Sequence, residues 1–299
     1  MPTTPHDKPL TPSQRKLINA GGEIYQDAPT DQDKAFLARQ LVQATLPHTD
    51  PGDVPVWSRK NGNVTLTIQQ GYDDDTGKPT GHPYGTIPRL LMYWMTTEAL
   101  RTKSRKLQLG DNLASFMEQI GLNPNSGGGK RGDAARLKEQ MRRLFDARVS
   151  FSTTLQDDDA IGKRKRRMQI ATETVYWWHP KDPHQRAFWG SYVELDYDFY
   201  EAITASPVPV DIRALRAIKR SPLALDLYSL LTYQAFRASR TGDAKFLSWN
   251  QLETALGSSY ADTADLKRAI KDALRKIRAV YPRLVIGDRV GGLEVLPDS

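Results

Sequence analysis

The sequence predicts an α+β protein, mainly helical, built as two tandem winged-helix domains behind a flexible N-terminal arm. Three observations carry this reading. Two basic helices, one in each half, repeat the same apolar register. Each follows a short helix that ends in glycine, and each precedes a β-hairpin.

Residues 1–53 read as the arm, where Pro, Thr and Asp are frequent. Phe36, Leu37, Leu41, Val42 and Leu46 have helical spacing and predict one amphipathic helix over 31–46, with Thr30 or Asp31 as its cap. The Pro/Gly/Asp-rich stretch 47–55 reads as a linker. The first winged-helix domain is expected over 54–205. Val64, Leu66 and Ile68 alternate as a strand does. Asp73, Asp74 and Asp75 fall in a turn-rich loop and read as solvated carboxylates rather than a metal site. Ile87 to about Lys103 is apolar enough for a long buried helix, with Pro88 in its first turn, where a missing N–H breaks no hydrogen bond. Lys106–Leu109 is a short strand. Asp111 can cap a helix over 112–120 that Gly121 ends. A Gly-rich loop then leads into the first basic helix, 133–148. Strands are expected over 149–155 and 167–178, with the basic run Lys163–Arg166 at the hairpin tip between them. A last strand covers 191–195.

Pro207–Asp211 reads as the start of the second winged-helix domain, 206–299. Helices are expected over 211–218 and 222–238, a strand over 246–249, and a helix over 250–256 that Gly257 ends. The second basic helix runs over 262–280, and Pro282 stops it. Residues 284–286 and 292–295 form a closing hairpin that turns at Gly287-Asp288.

The repeat is specific in its detail. Ala135-Arg-Leu-Lys opens the series Leu137, Met141, Leu144, Phe145; Ala264-Asp-Leu-Lys opens Leu266, Ile270, Ala273, Leu274. The spacing is identical, so each helix buries the same face. The preceding helices end in the matching pair FMEQIG (116–121) and LETALG (252–257), and a Pro-initiated apolar helix stands further upstream in each half, at Pro88 and Pro222.

Composition narrows the partners. The 299 residues are 39% hydrophobic and 26% charged, with a net charge of +7, a pI near 9.4 and no cysteine. Disulfides, thiolate metal sites and a cysteine nucleophile are therefore excluded. No run approaches the roughly 18 apolar residues of a membrane span, and the polar N-terminus lacks the apolar core of a secretory signal. A cytoplasmic protein with no membrane partner is expected. A basic balance draws a protein to phosphate polymers or anionic surfaces, and the placement of the charge decides which.

A helix-turn-helix lays its second helix in the major groove of double-stranded DNA, so that helix must bury one face and keep another polar and basic. In the second half, Lys267, Arg268, Lys271, Arg275 and Arg278 lie opposite the buried stripe, and the acids Asp262 and Asp265 sit near the N-terminus, where the helix dipole favours them; Asp272 is the third acid. In the first half, Lys130 and Arg131 stand at the helix entrance, followed by Arg136, Lys138, Arg142 and Arg143. Lys163, Arg164, Lys165 and Arg166 form a basic wing able to lie along phosphates or in a narrow minor groove. The second-half helix is expected to read bases, and the first-half helix and wing to clamp phosphates.

Other chemistries fit less well. Gly127–Lys130 looks like a phosphate loop, yet Pro124 replaces the first glycine of a Walker motif and Arg131 its Ser/Thr. A nicking enzyme would need a metal-binding pair of histidines one residue apart; His6, His48, His82, His179 and His184 contain none. No Ser/His/Asp or paired-carboxylate grouping stands out, so no catalytic residue, cofactor or metal is expected, and no enzymatic activity. Trp177, Trp178 and Trp189 lie on or beside expected strands and suit core packing better than base stacking.

Four stretches carry a family resemblance: His82–Leu91 (HPYGTIPRLL), Thr96–Arg105 (TTEALRTKSR), Gln140–Phe145 (QMRRLF) and Pro207–Tyr228 (PVPVDIRALRAIKRSPLALDLY). The chain resembles the plasmid-encoded RepA replication initiators from about residue 81 to its C-terminus. That resemblance implies binding to repeated sites in double-stranded origin DNA, local opening of the duplex and recruitment of host replication proteins. It also implies a switch between an autorepressing homodimer and an initiating monomer. A winged-helix transcriptional repressor, including one acting on its own gene, remains the main alternative. A nickase or primase, and a basic protein that binds acidic proteins, are the others.

Overall fold

A computed structural model describes residues 9–126, 132–157, 160–178, 182–186, 190–256, 260 and 262–297. Gly127–Arg131, His6, His179, Trp189 and Gly257, for which the sequence raises expectations, lie outside the described residues. Helix outweighs strand, 45% against 26%, so the mixed, mainly helical class holds.

The chain opens with a helix that the sequence reading does not anticipate. In α1 (Pro12–Gln26), Thr11 caps the Gln14 amide, the Gln14 side chain accepts from the Thr11 amide, and Pro12 fills the first turn. A 3₁₀ turn (Asp31–Asp33) leads to β1 (Lys34–Ala38) and the short α2 (Arg39–Gln43). The single helix expected over 31–46 is thus replaced by turn, strand and short helix. Then come β2 (Val56–Asn61), β3 (Val64–Gln69), β4 (Gly71–Tyr72), β5 (Pro79–Gly81), α3 (Thr86–Thr102), β6 (Lys106–Gln108), α4 (Leu113–Gln119) and α5 (Asp133–Phe145). Asn112, not Asp111, caps α4, accepting from the Ser115 amide at 2.8 Å. β7 (Arg148–Asp157), β8 (Ala160–Gln169), β9 (Ala171–Val175), β10 (Tyr192–Leu195), α6 (Tyr197–Thr204) and β11 (Pro207–Asp211) follow. The last part holds α7 (Ile212–Ile218), α8 (Pro222–Thr241), β12 (Lys245–Ser248), α9 (Trp249–Leu256), α10 (Thr263–Val280), β13 (Ile286–Arg289) and β14 (Gly292–Val295). The closing hairpin turns at Val290-Gly291, with Gly291 at φ 94°, rather than at Gly287-Asp288.

The repeat seen in sequence is also a repeat of topology. Helix, strand, helix, helix recurs as α3–β6–α4–α5 and as α8–β12–α9–α10. Each unit ends on a three-stranded antiparallel sheet of the same order: β6-β10-β9 in the first, β12-β14-β13 in the second. In both, the strand before the paired helices adds to the last strand of the unit. The first unit carries an insertion, because β7 and β8 leave this sheet and join the β2-β3 hairpin as β2-β3-β7-β8.

The N-terminal region is built in, which corrects the picture of a free arm for the described residues after 11. β1 pairs antiparallel with β11, from Lys34↔Asp211 to Ala38↔Pro207. Pro207–Asp211, read from sequence as a boundary, is therefore a strand. Its two prolines fit because a two-stranded sheet has an open edge that needs no N–H donor. Helix α1 packs on α10 and α7, with Leu17 and Ile24 against the core. Gly21 sits between them at helical spacing, where an added Cβ would lie 2.0 Å from the Ala279 carbonyl oxygen of α10. At Gly22 nothing lies within 4 Å of such a Cβ. Gly21→Ala is expected to cost about 1–3 kcal/mol by forcing the helices apart, whereas Gly22→Ala should stabilise by about 0.5–1 kcal/mol through backbone entropy. Urea unfolding of the two variants checks this; midpoints moving in the same direction would show that α1 does not pack on α10.

Candidate nucleic-acid interface

Helix α10 starts at Asp262, whose carboxylate accepts from the Asp265 amide at 2.8 Å, and it buries Leu266, Ile270, Ala273, Leu274, Ile277 and Val280. The expected stripe is the buried one. On the exposed side, Lys267, Lys271 and Arg278 stand at positions i, i+4 and i+11 and so run along one line. Arg268 is paired with Asp265 at 3.0 Å and Arg275 with Asp272 at 2.6 Å. Lys267 is half-buried, with its ammonium 5.5 Å from the Trp249 ring centroid. Lys271 and Arg278 are exposed and have no carboxylate partner among the described residues.

The closing hairpin stands beside this line. Between α10 and β13–β14 lies a groove of about 560 Å³, lined by Lys271, Arg275, Arg278, Arg289, Leu274 and Trp249, among others. The hairpin is fixed there: the Gly291 carbonyl accepts from the Trp249 amide at 2.9 Å. A Cβ at Gly292 would come within 2.1 Å of the Leu247 carbonyl oxygen, so only glycine lets β14 approach β12 this closely. Arg289 lies over Phe246 and pairs with Glu294 at 2.9 Å. Val290, at the tip, is fully exposed. The arrangement offers anion-binding side chains along a helix and a hairpin tip with one apolar contact.

The first unit presents its basic helix differently. Arg143 bonds Glu139 at 2.8 Å, Asp50 at 3.0 Å and the His82 carbonyl at 3.3 Å, and it lies over Tyr84. Arg142 pairs with Glu139 at 3.1 Å and Asp73 at 3.6 Å. Partial burial alone would raise the Glu139 carboxyl, but hydrogen bonds from Arg143 and Arg142 outweigh it and hold the group below the usual carboxylate range. Asp73 is likewise held low, chiefly by the Thr76 hydroxyl. It closes the β4–β5 turn, and no group of His, Asp and Glu able to hold a metal exists among the described residues. Arg136 pairs with Asp133 at 3.3 Å, while Lys138 is half-buried with no carboxylate partner among the described residues. Lys130 and Arg131 lie outside the described residues. Arg142 and Arg143 are thus neutralised internally, tying α5 to the loops around β4 and β5.

Lys163, Arg164, Lys165 and Arg166 are not at a hairpin tip. They lie within β8, the edge strand of the β2-β3-β7-β8 sheet, and all four are exposed. Side chains alternate across a strand, so the run divides. Arg164 and Arg166 pair with Thr153 and Phe151, on the face that also carries Leu66 and Met168. On this face Arg59 donates to the Leu256 carbonyl at 2.9 Å and to Thr45 Oγ1 at 2.6 Å, meeting α9; burial pushes its guanidinium down to about 10. Lys163 and Lys165 point the other way. Arg167, which ends the same basic run in the sequence, lies on β8 as well. Lys60, Arg148 and Arg289 are cations that the sequence alone does not single out; strand alternation and hairpin pairing point to the first two, but only once the register is known. Trp178 packs against Phe116, ring centroids 6.0 Å apart, and Trp177 is exposed.

Taken together, the fold and site define a doubled helix–strand–helix–helix unit with a basic groove at its second copy. No helix among the described residues is long and apolar enough to cross a membrane. The chain belongs to the family of plasmid encoded RepA proteins, whose model matches residues 82–251, more than half of its length. The fold is similar to that of domains 2 and 3 of RctB. A selenomethionine derivative of these domains aligns with a TM-score of 0.47 and 12% identity, covering 85% of this chain and 94% of that one; a second structure of RctB domains 2-3 aligns with a TM-score of 0.46 and 9% identity, over 86% and 95%. No curated protein matches the chain in sequence.

Proposed function

We propose that this protein initiates plasmid replication by binding repeated sites in double-stranded origin DNA in the cytoplasm, through two winged-helix units. In this reading α10 enters the major groove and the β13–β14 hairpin is its wing. The observation that carries it is the α10–hairpin groove, in which Lys271 and Arg278 stand unpaired by any described carboxylate beside a hairpin fixed by Trp249. The strand order β12-β14-β13 supports the winged-helix assignment, and membership of the plasmid RepA family supports the origin as the target. The protein acts by binding, helping to open the duplex and recruiting host replication proteins, without catalysis. Homodimer formation would let the same chain repress its own gene and limit plasmid copy number.

Footprinting on the parent plasmid's origin tests the reading. Discrete protected repeats are expected. Protection of no discrete site would overturn origin recognition. Protection confined to the chain's own promoter, together with replication of a minimal replicon lacking the gene, would favour the repressor.

A further inference from the structure

The β2-β3-β7-β8 sheet has a second face, turned away from α9. Its rows follow from the pairing register: Lys60–Thr65–Ser152–Lys165 and Ser58–Thr67–Ser150–Arg167, flanked by Thr154–Lys163 at one end and Val56–Gln69–Arg148–Gln169 at the other. Five cations stand on this face: Lys60, Arg148, Lys163, Lys165 and Arg167. All five are exposed, and none has a carboxylate partner among the described residues. The rows contain no Asp or Glu and no aromatic residue. Ser150 and Ser152 lie low between longer neighbours, 7% and 5% exposed, so the middle of the face is a shallow hydroxyl floor between cationic rims.

We propose that this outer sheet face is a second contact surface for double-stranded DNA, one that grips the phosphate backbone and reads no bases. Charge and hydrogen-bond chemistry select the occupant. Lysine, arginine and hydroxyl side chains are what phosphate oxygens recruit. The paired rows hold no carboxylate to repel phosphate; the acids Asp74, Asp146 and Glu173 line the cleft beyond the Arg148–Gln169 end. Single-stranded nucleic acid is held chiefly by stacking on aromatic rings, and here Trp57 and Phe151 point to the opposite face. Lys163, Lys165 and Arg167 recur every second residue, about 6.8 Å apart along β8, so they can track successive phosphates of one DNA strand. The surface also gives the first unit a phosphate-binding role that Arg142 and Arg143, held by Glu139, Asp73 and Asp50, do not offer. The proposal rests on the initiator reading only in taking duplex DNA as partner, and it makes the face indifferent to sequence.

The experiment uses the full chain and three probes: an origin duplex, a scrambled duplex of equal length and the scrambled single strand, each titrated at several salt concentrations. Lys163→Gln/Lys165→Gln/Arg167→Gln should weaken both duplexes alike, by roughly tenfold or more at low salt, and should lower the slope of log K against log salt by about 2–3. Lys60→Gln/Arg148→Gln, on two other strands, should lower it by about 1–2. Arg164→Gln/Arg166→Gln, on the opposite face of the same edge strand, should lower the affinity and the slope clearly less than the first variant does. Unchanged thermal unfolding shows that each variant is folded. An unchanged slope in the first two variants, or an equal loss in the third, would overturn the surface while leaving the α10 groove standing. A larger loss for the single strand than for the duplex would overturn the duplex assignment. Failure of the wild-type chain to bind any probe would overturn this proposal and the initiator reading together.

Discussion

Asp226→Ala is expected to destabilise the chain by about 3–5 kcal/mol, because it strands a buried charge. Asp226 of α8 and Arg89 of α3 are 5% and 4% exposed. The guanidinium grips the carboxylate with two hydrogen bonds of 2.8 Å, from Nε and Nη2. Its other three N–H groups donate to the carbonyls of Leu46, Pro47 and Gly85 at 2.6, 3.0 and 2.6 Å. Arginine has five N–H donors, and all five are satisfied. Removing the carboxylate leaves two donors and a full positive charge with no counter-charge. Asp226→Asn keeps the shape and one acceptor, so it should cost less than alanine. Urea unfolding ranks the three proteins; an alanine variant as stable as wild type would show that α3 and α8 are held by packing alone.

The same cluster makes stability pH-dependent. Burial alone would raise the Asp226 carboxyl, but the charge of Arg89 and the bonds from His48 and Arg89 drive it well below the usual carboxylate range. Such a group stabilises above its unfolded value, near pH 3.9, and this stability is lost as pH falls further. His48 is 2.7 Å from Asp226 through Nε2. A carboxylate only accepts, so Nε2 carries the proton and donates. Burial holds the imidazole below its ordinary value, despite the opposing pull of Asp226. The unfolded imidazole therefore takes up its second ring proton first, and stability begins to fall below about pH 6.5. His48→Gln should flatten that upper part of the curve and leave the acid limb in place. A slope between pH 7 and 5 identical to wild type would show that His48 is not the group responsible.

How far the sequence foretells this depends on how far apart the partners lie. Leu137, Met141, Leu144 and Phe145 are buried as their spacing requires, and so are Leu266, Ile270, Ala273 and Leu274. These residues obey a local rule, the 3.6-residue period, that needs no knowledge of the fold. Residues 34–38 obey a distant one. Phe36 and Leu37 fit a helical stripe, but pairing with Val208 and Pro209 of β11 overrides it. The pairing of Arg142 and Arg143 is half local and half distant: Glu139 stands three and four residues before them on the same helix, whereas Asp50 and Asp73 lie far back in the chain, where no spacing rule reaches. Arg89 and Asp226, 137 positions apart, have no local signature at all. The run 163–166 is legible as a charge cluster, yet its division between two faces follows only from the register of β7 and β8.

Lys271→Glu/Arg278→Glu is expected to lower affinity for an origin duplex by about a hundredfold or more, since each base-reading side chain removed costs roughly 1–3 kcal/mol. The two positions are the cleanest on α10. Arg268 and Arg275 are already engaged by Asp265 and Asp272, so reversing them would also disturb those pairs. Lys267 sits over Trp249, whose amide holds the Gly291 carbonyl. Lys267→Glu would therefore loosen α9 and the hairpin as well as change charge, and it should lower thermal stability as it lowers affinity. Among the described residues Lys271 and Arg278 have no such second duty, and they border the groove beside Arg289. Their reversal should leave the melting temperature in place and, if α10 reads bases as proposed, narrow the ratio between origin and scrambled duplexes by removing hydrogen bonds that only the origin's base edges would accept. A parallel loss on both duplexes would make α10 a phosphate clamp rather than a reader. Unchanged affinity for the origin would remove α10 from the interface and leave the sheet face of β8 as the surface to test.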